Sequence, residues 1–410
     1  MSRNNKAADQ RKVAQAILEE ATMLLNIYFK TSINISSAIF LSEPTRRNML
    51  LRLVLAPHTS DIPDSVILKQ HKAQKNQAGD QEASSRFSRD WSAHLFLGEL
   101  LPHTPLVPKF YGGSIKHRFV LLEDLGHEHI SLVDPLTGLD PQAARTALKN
   151  YTQQMAQLHG LAFQNLNKYN LISQKLGFSY MPETNYYNDA IRNIVPVLHN
   201  LGIILNSDIK QEIKHVLKII KQPSAFTTLI HGDLCPDNVF YDAEKDKLRI
   251  IDFEWSSLSN ALLDGVYIRM NMPTCWCAKA FPKDLVDELE FIYRHELAKN
   301  IPAANDHALY TESYTAACAY WMLWNITVIN ELWDKDNDIS EPQFSNLHPN
   351  WPPEYQLRRP RVLSRIIAFI EIAQKHNTLP HLHEMAMLVL NQLQRIWPHA
   401  SPMGFYRAFL

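Results

Sequence analysis

One stretch of the chain carries side chains whose types and spacing could bind a metal ion and move a proton. It reads His231-Gly232-Asp233-Leu234-Cys235-Pro236-Asp237-Asn238 and, after a charged turn, Asp252-Phe253-Glu254. A strand ending at Ile230 would deliver Asp233 and Asn238 into a tight turn, and a hairpin would return Asp252 to the same edge. Carboxylate and amide oxygens are ligands that Mg²⁺ prefers, and a carboxylate without metal can accept a proton from a hydroxyl. The spacing therefore predicts a metal site beside a base.

The same stretch resembles the catalytic loop and metal-binding turn of protein kinases, with Asp-Phe-Glu in place of Asp-Phe-Gly. In this variant form it is similar to the aminoglycoside phosphotransferase and choline kinase-like superfamily of small-molecule kinases. The resemblance implies that Asp233 is the catalytic base and that Asn238 and Asp252 bind Mg²⁺. It also implies that His231 braces the loop and that Asp264, further along, is an internal anchor.

A lysine that would bind the nucleotide phosphates lies upstream. Val66-Ile67-Leu68-Lys69 resembles the kinase strand whose lysine pairs with the α- and β-phosphates. The partner of that lysine is normally a glutamate on a helix. Here Asp90 is the best-placed acid, one methylene shorter, and Glu82 and Glu99 are alternatives.

Phe119–Gly126 resembles the hinge between the two lobes of a kinase. The resemblance implies that the backbone from Glu123 to Leu125 binds the adenine of ATP, or the base of another nucleoside triphosphate.

Glycine is scarce, and its distribution is informative. The 410 residues include 12 glycines, where average usage of about 7% would give roughly 29, and none precedes Gly79. The first 78 residues therefore contain neither a Rossmann fingerprint nor a Walker A loop. The loop expected to cover the phosphates must use polar side chains, and Asn48 stands where the superfamily commonly has asparagine. Arg46 or Arg47 either contacts phosphate or is solvated, and Glu254 lies either beside the metal or on the surface.

The periodicity of apolar residues supplies the elements that would position these side chains. Residues 11–29 predict a helix, and about five short strands with one helix follow up to Gly126. Residues 71–90 are expected to form a mobile loop that leads into a helix over 91–101. Longer helices with a small embedded β patch follow, and Pro196 is expected to kink or break one of them.

The predicted fold class is α+β, a bilobal protein-kinase-like fold with a β-rich N-lobe and a mainly helical C-lobe. The expected boundaries are 1–30 for an N-terminal helix, 31–125 for the N-lobe and 126–410 for the C-lobe.

Composition excludes several classes of function. A formal net charge of −1 gives no overall field for nucleic acid or an anionic membrane. No transmembrane stretch and no secretory signal are visible, so a cytoplasmic location is expected. The four cysteines lack the usual zinc spacing and are expected to be buried or inert thiols.

The predicted function is Mg²⁺-dependent transfer of the ATP γ-phosphoryl group to a hydroxyl of a small molecule. The alternatives are a non-catalytic nucleotide-binding pseudokinase that binds a partner, and a protein kinase. A protein kinase would need an Ala-Pro-Glu segment and an activation loop, but Asp264 follows Asp252 within about a dozen residues. The sequence gives neither the acceptor nor the oligomeric state. Acidic residues that would hold a cationic aminoglycoside are not clustered, and tryptophans in the helical region are expected mostly in the core.

Overall fold

The structure, a computed structural model, describes residues 13–56, 61–101, 106–126, 129–177, 186–242, 247–276, 278–333, 338 and 357–410. It divides into two compact units. The first comprises Met1–His129, Leu171–Phe178 and Arg249–Trp255, and the second comprises Ile130–Asn170, Ser179–Leu248 and Ser256–Leu410. None of the described helices is long and apolar enough to cross a membrane.

The first unit is built on a five-stranded antiparallel sheet with the order β1-β2-β3-β5-β4. Its strands are β1 (Ile35–Phe40), β2 (Asn48–Leu55), β3 (Ser65–His71), β4 (Phe110–Ser114) and β5 (Phe119–Glu123). Helix α1 (Gln15–Phe29) buries Ile17, Ala21 and Leu25 against this sheet. Helix α2 (Gln77–Leu100) follows β3, and its Phe87 and Trp91 pack with Val120 and Leu122 of β5.

The rest of the chain is mainly helical. The helices are α3 (Val133–Thr137), α4 (Pro141–Gln164), α5 (Leu166–Lys175), α6 (Tyr186–Asn200), α7 (Ser207–Lys221), α8 (Leu262–Gly265), α9 (Lys283–Ala298), α10 (His307–Thr327), α11 (Arg358–His376) and α12 (Pro380–Ile396). In the second unit α4 packs on α9, and α10 packs on α11. The element order, helix α1, a five-stranded sheet with helix α2, and then a mainly helical region, confirms the predicted fold class.

The predicted catalytic residues lie in loops next to the strands of two small sheets. One has the order β6-β8-β9, from Ile130–Ser131, Val239–Asp242 and Lys247–Ile250. The other pairs β7 (Thr227–Ile230) with β10 (Ser257–Asn260). The sequence predicted one β patch that contains β7, β8 and β9. That prediction is wrong, because β7 pairs with β10 in a separate sheet.

The predicted loop over residues 71–90 is also wrong, because most of it is the first half of α2. Asn76 caps the helix, since its Oδ1 accepts a hydrogen bond from Gly79 N at 2.7 Å, and Asp80 lies in the first turn. Both features favour a helix start. The polar composition reflects a solvent-facing side, because Ala83 and Phe87 on the other side are buried. Pro196 lies inside α6 and does not end it.

Candidate active site

Lys69 lies at the centre of a charged cluster in the first unit. Its Nζ is 2.7 Å from Asp90 Oδ2 and 2.5 Å from Asp252 Oδ1. The lysine side chain is 8% exposed and that of Asp90 is fully buried. Glu82, an alternative partner, pairs with Arg86 instead. Asp90 is therefore the helix acid that meets Lys69.

Three nitrogen atoms lie close to the Asp90 carboxylate. His71 Nε2 lies 3.3 Å from Oδ2, His94 Nε2 lies 3.4 Å from Oδ1, and Phe253 N donates to Oδ1 at 3.0 Å. Burial disfavours the charged carboxylate, but Lys69 and the two imidazoles outweigh that cost and hold the pKa of Asp90 well below its ordinary value. Asp90 is therefore ionised at neutral pH.

The same balance keeps Lys69 charged. Burial disfavours its ammonium group, but Asp252, Asp90 and Glu254 together raise the pKa of Lys69 above its ordinary value. A permanently protonated lysine is suited to contact phosphate oxygens.

Asp252 has a left-handed backbone, with φ of 69°. This conformation is uncommon for residues other than glycine, although aspartate and asparagine tolerate it better than most. The contact between Phe253 N and Asp90 fixes the peptide that follows. Strained backbone of this kind clusters at functional sites, and here it presents the Asp252 carboxylate to Lys69.

Glu254 is buried and ties down the glycine-free loop before β2. Arg47 donates to its Oε1, and Asn48 Nδ2 donates to its Oε2 at 2.8 Å. The Arg47 guanidinium also lies 5.7 Å from the centre of the Trp255 ring. Glu254 is therefore an internal partner of the two loop residues from which phosphate contacts were expected, and it does not lie on the surface.

The predicted hinge is braced by Asp124. This carboxylate accepts hydrogen bonds from Arg52 Nε at 2.5 Å, Ser65 Oγ at 2.6 Å and Gly126 N at 3.0 Å. These donors lower the pKa of Asp124 against the opposing effect of burial. The Glu123 amide donates to Lys109 O at 2.9 Å, so that amide is already engaged within the protein.

In the second unit, Asp264 of α8 holds the loop that follows β7. Its Oδ2 accepts from His231 N at 2.7 Å, and its Oδ1 accepts from Gly232 N at 3.1 Å. The φ of Gly232 is 79°, a conformation that favours glycine. The side chain of Asp264 is fully buried and also meets His159 Nε2 at 3.2 Å. This geometry is the one expected of an internal anchor.

The backbone and side chain of Asp233 are held by four neighbours. Thr274 Oγ1 donates to Asp233 Oδ1, and Cys235 Sγ donates to the same oxygen at 3.1 Å. Asn238 Nδ2 donates to Asp233 O at 2.9 Å, and Asp233 N donates to His231 Nδ1 at 3.2 Å. The His231 side chain therefore contacts the backbone of the same loop.

Sequence reasoning missed several residues of these two clusters. In the first unit they are His71 and His94. In the second they are Thr274 and Tyr267, whose hydroxyl donates to Gly232 O at 2.9 Å and lies 2.8 Å from Thr274 Oγ1. No local motif marks them, because each reaches its cluster through packing of distant segments.

The tryptophans divide between core and surface. Trp321 is buried and donates to Leu263 O at 2.9 Å, as expected for a core residue. Trp324 and Trp333 are 42% and 41% exposed. Trp276 lies beside the loop that carries Asp233, where its Nε1 donates to Asp237 Oδ2 at 3.4 Å.

The family model described as "phosphotransferase enzyme family" matches residues 58–285, more than half of the chain. The chain belongs to this family. The match spans the strand of Lys69, the hinge, the loop of Asp233 and the turn of Asp252, and it confirms the superfamily that the motifs resemble. A search of curated proteins finds no match.

Among solved structures, the chain is similar to an ethanolamine kinase from Plasmodium vivax, with 15% identity over 91% of each chain and a TM-score of 0.45. It is also similar to the choline kinase LicA from Streptococcus pneumoniae, with 16% identity over 87% of this chain and 99% of that one, and a TM-score of 0.41. The GDP complex of an aminoglycoside 2'-phosphotransferase-IIIa gives 14% identity, coverage of 87% and 98%, and a TM-score of 0.42.

Proposed function

We propose that this phosphotransferase moves the γ-phosphoryl group of ATP to a hydroxyl group of a small molecule in the cytoplasm. A bond forms between the hydroxyl oxygen and the γ-phosphorus, and the bond between that phosphorus and the β–γ bridging oxygen breaks to leave ADP. Asp233 accepts the hydroxyl proton. The observation that carries the proposal is the Asp233 carboxylate, which already accepts a hydrogen bond from an alcohol, the hydroxyl of Thr274.

The loop geometry supports this role for Asp233. Asp264 accepts hydrogen bonds from the backbone amides of His231 and Gly232, and the side-chain amide of Asn238 donates to Asp233 O. These contacts fix the backbone around Asp233, so its carboxylate is positioned before any substrate binds. Positioning and charge neutralisation account for most of the catalysis in phosphoryl transfer. A general base contributes typically 10²- to 10⁴-fold.

Asn238 and Asp252 offer a donor set that fits Mg²⁺. Asn238 Nδ2 donates to Asp233 O. The Oδ1 atom of the same Asn238 side chain is therefore directed away from that bond and can serve as a ligand. Asp252 supplies a carboxylate in a fixed backbone conformation. We propose that these two residues hold Mg²⁺, which when bound would neutralise phosphate charge.

The first unit would bind the nucleotide. Lys69, kept charged by Asp90, contacts the α- and β-phosphates. Because the Glu123 amide is engaged with Lys109, we assign adenine binding to the Glu123 carbonyl and the Leu125 amide. Asn48 supports the phosphate-covering loop through Glu254.

Measuring Mg²⁺-dependent ADP formation tests the proposal. The purified chain is incubated with ATP and a panel of amino alcohols, sugars, aminoglycosides and macrolides, and product is identified by mass. We expect one acceptor class to be phosphorylated. We expect Asp233→Asn to lower kcat roughly 10²- to 10⁴-fold while ATP affinity is retained.

The matched control is Asp208→Asn, an exposed aspartate on α7, which should leave kcat unchanged. ATP binding without turnover across the whole panel would favour the non-catalytic pseudokinase. Full turnover in Asp233→Asn would show that another group accepts the proton.

A further inference from the structure

Two thiols and one carboxylate meet beside the catalytic loop, although they are far apart in sequence. Cys235 Sγ, a carboxylate oxygen of Asp237 and Cys275 Sγ all lie within 4.8 Å of one another. Both thiols are buried and Asp237 is partly buried. We propose that Cys235, Asp237 and Cys275 form a Zn²⁺ site, distinct from the Mg²⁺ site proposed for Asn238 and Asp252.

The donor set selects the metal. Thiolates are soft ligands that favour Zn²⁺ and related ions over Mg²⁺, which takes hard oxygen ligands. Zinc binds sulfur at about 2.3 Å and carboxylate oxygen at about 2.0–2.2 Å in a tetrahedron, so neighbouring donors lie roughly 3.5–3.8 Å apart. The three donor atoms therefore need only small rotamer shifts to bind one ion. A fourth position would be left for water or another exogenous ligand.

The surroundings of the cluster suit an anionic metal centre. Zn²⁺ with two thiolates and one carboxylate has a net charge of −1. Arg361 is buried and donates from Nη1 to Cys275 O at 2.8 Å. Arg365, also buried, donates to Met272 O at 2.8 Å. Burial and the neighbouring Arg361 lower the pKa of Arg365 to about 9. An anionic centre here would stabilise both buried guanidinium groups.

Trp276 supplies the second coordination sphere and a reporter. Its Nε1 donates to Asp237 Oδ2 at 3.4 Å. Hydrogen bonds of this kind orient metal ligands. Its indole fluorescence should therefore respond to ion binding.

Zinc binding would also change the contacts of Asp233, a consequence that rests on the proposed function. Cys235 Sγ donates to Asp233 Oδ1 at 3.1 Å, and zinc would replace the proton that makes this bond. The Asp233 carboxylate would then lose one of the four neighbours that hold it in place. We therefore expect bound zinc to lower kcat for phosphoryl transfer.

The binding experiment needs no substrate, so its result is independent of the kinase assay. The reduced, metal-free full chain is titrated with Zn²⁺ against a chromophoric chelator, and separately with Cd²⁺, whose thiolate bonds absorb in the ultraviolet. We expect one equivalent of each ion. Cys235→Ala and Cys275→Ala should each weaken Zn²⁺ binding by more than about 100-fold and abolish the cadmium–thiolate band.

Cys318→Ala is the matched control, because Cys318 is an equally buried free thiol on α10. It should bind both ions as the unaltered chain does. Asp237→Asn, which keeps side-chain volume, should weaken Zn²⁺ binding without loss of the folded circular-dichroism spectrum. Equal Zn²⁺ affinity in the unaltered chain and Cys275→Ala, or no cadmium–thiolate band in the unaltered chain, would overturn the site. One equivalent of bound zinc with unchanged kcat would overturn the link to Asp233.

Discussion

Lys69 and Asp90 are a buried ion pair in which each partner keeps the other charged. Removing one partner of such a pair costs more than the pair itself contributes, because the remaining charge stays desolvated. Asp252 also contacts Lys69, so it compensates in part for loss of Asp90. The helix acid is an aspartate where kinases use glutamate, and its carboxylate still reaches Lys69 Nζ at 2.7 Å.

We expect Asp90→Asn to lower the free energy of unfolding by about 3 kcal/mol at neutral pH, the lower end for removal of a buried partner. Because the folded pKa of Asp90 is depressed, its contribution is present above the unfolded pKa of about 3.9 and is lost as pH falls through the folded pKa. The stability difference from the unaltered chain should thus be constant between about pH 5 and about pH 8 and shrink below about pH 4. Urea unfolding across this range measures it.

Asp80→Asn is the control in the same helix. Asp80 pairs with Arg118 at 2.7 Å, and this contact lowers the pKa of Asp80 to about 2, but the pair is partly exposed to solvent. Solvent screening leaves such pairs little net effect on stability. Equal destabilisation by both substitutions would contradict the role given to burial.

At the scale of elements, the loop between β7 and β8 depends on a four-residue helix that follows β10. Asp264 on α8 accepts hydrogen bonds from the backbone amides of His231 and Gly232 in that loop. The neighbouring Gly265 is required because α9 packs closely against it. A Cβ at Gly265 would lie 2.5 Å from Tyr293 of α9. The loop between β7 and β8 is therefore held by tertiary packing around α8 as well as by its own turn.

We expect Gly232→Ala to destabilise the chain by about 1–2 kcal/mol, the cost of a left-handed conformation with a Cβ. It should also lower kcat, because the shifted peptide carries Asp233. Thermal unfolding and steady-state kinetics measure the two effects.

Gly98→Ala is the counterpart, since Gly98 lies inside α2 with open space at its Cβ position. It should stabilise the chain by about 0.5–1 kcal/mol. Unchanged stability and kcat in Gly232→Ala would show that the loop tolerates another backbone conformation.

At the scale of the whole molecule, each compact unit assembles one part of the predicted machinery. The first unit joins Lys69 to Asp252 across 183 residues of chain and Arg47 to Glu254 across 207. The second joins Asp233 to Thr274 and Asp264. A ligand that binds only the folded chain should therefore stabilise it against unfolding.

ATP with Mg²⁺ should raise Tm, with a stabilisation of about 2.7 kcal/mol at a ligand concentration of 100 times Kd. Chelation of Mg²⁺ should remove most of this shift, because Lys69 alone would then offset the repulsion between the phosphates and the carboxylates. Lys69→Met should lose the shift, whereas Lys116→Met, at an exposed position in the turn after β4, should keep it. An ATP-induced shift of equal size in Lys69→Met would remove Lys69 from the nucleotide site.

The sequence by itself determined the elements and the local motifs. Apolar periodicity predicted the five strands of the first unit and most helices. A strand or helix that buries one face repeats its apolar residues at a fixed spacing, and that spacing can be seen along the chain. The spacing from His231 to Asn238 predicted one tight loop, and the structure places these residues between β7 and β8. Polar composition misled over residues 71–90, where a solvent-facing side of α2 has the same composition as a loop.

Only the tertiary structure decided the long-range partners. It selected Asp90 over Glu82 for Lys69, placed Glu254 under Arg47 and Asn48, and brought Cys235 to Cys275. Each pair joins segments whose proximity depends on how sheets and helices pack. The free energy of that packing is shared among many residues, so no spacing along the chain records it.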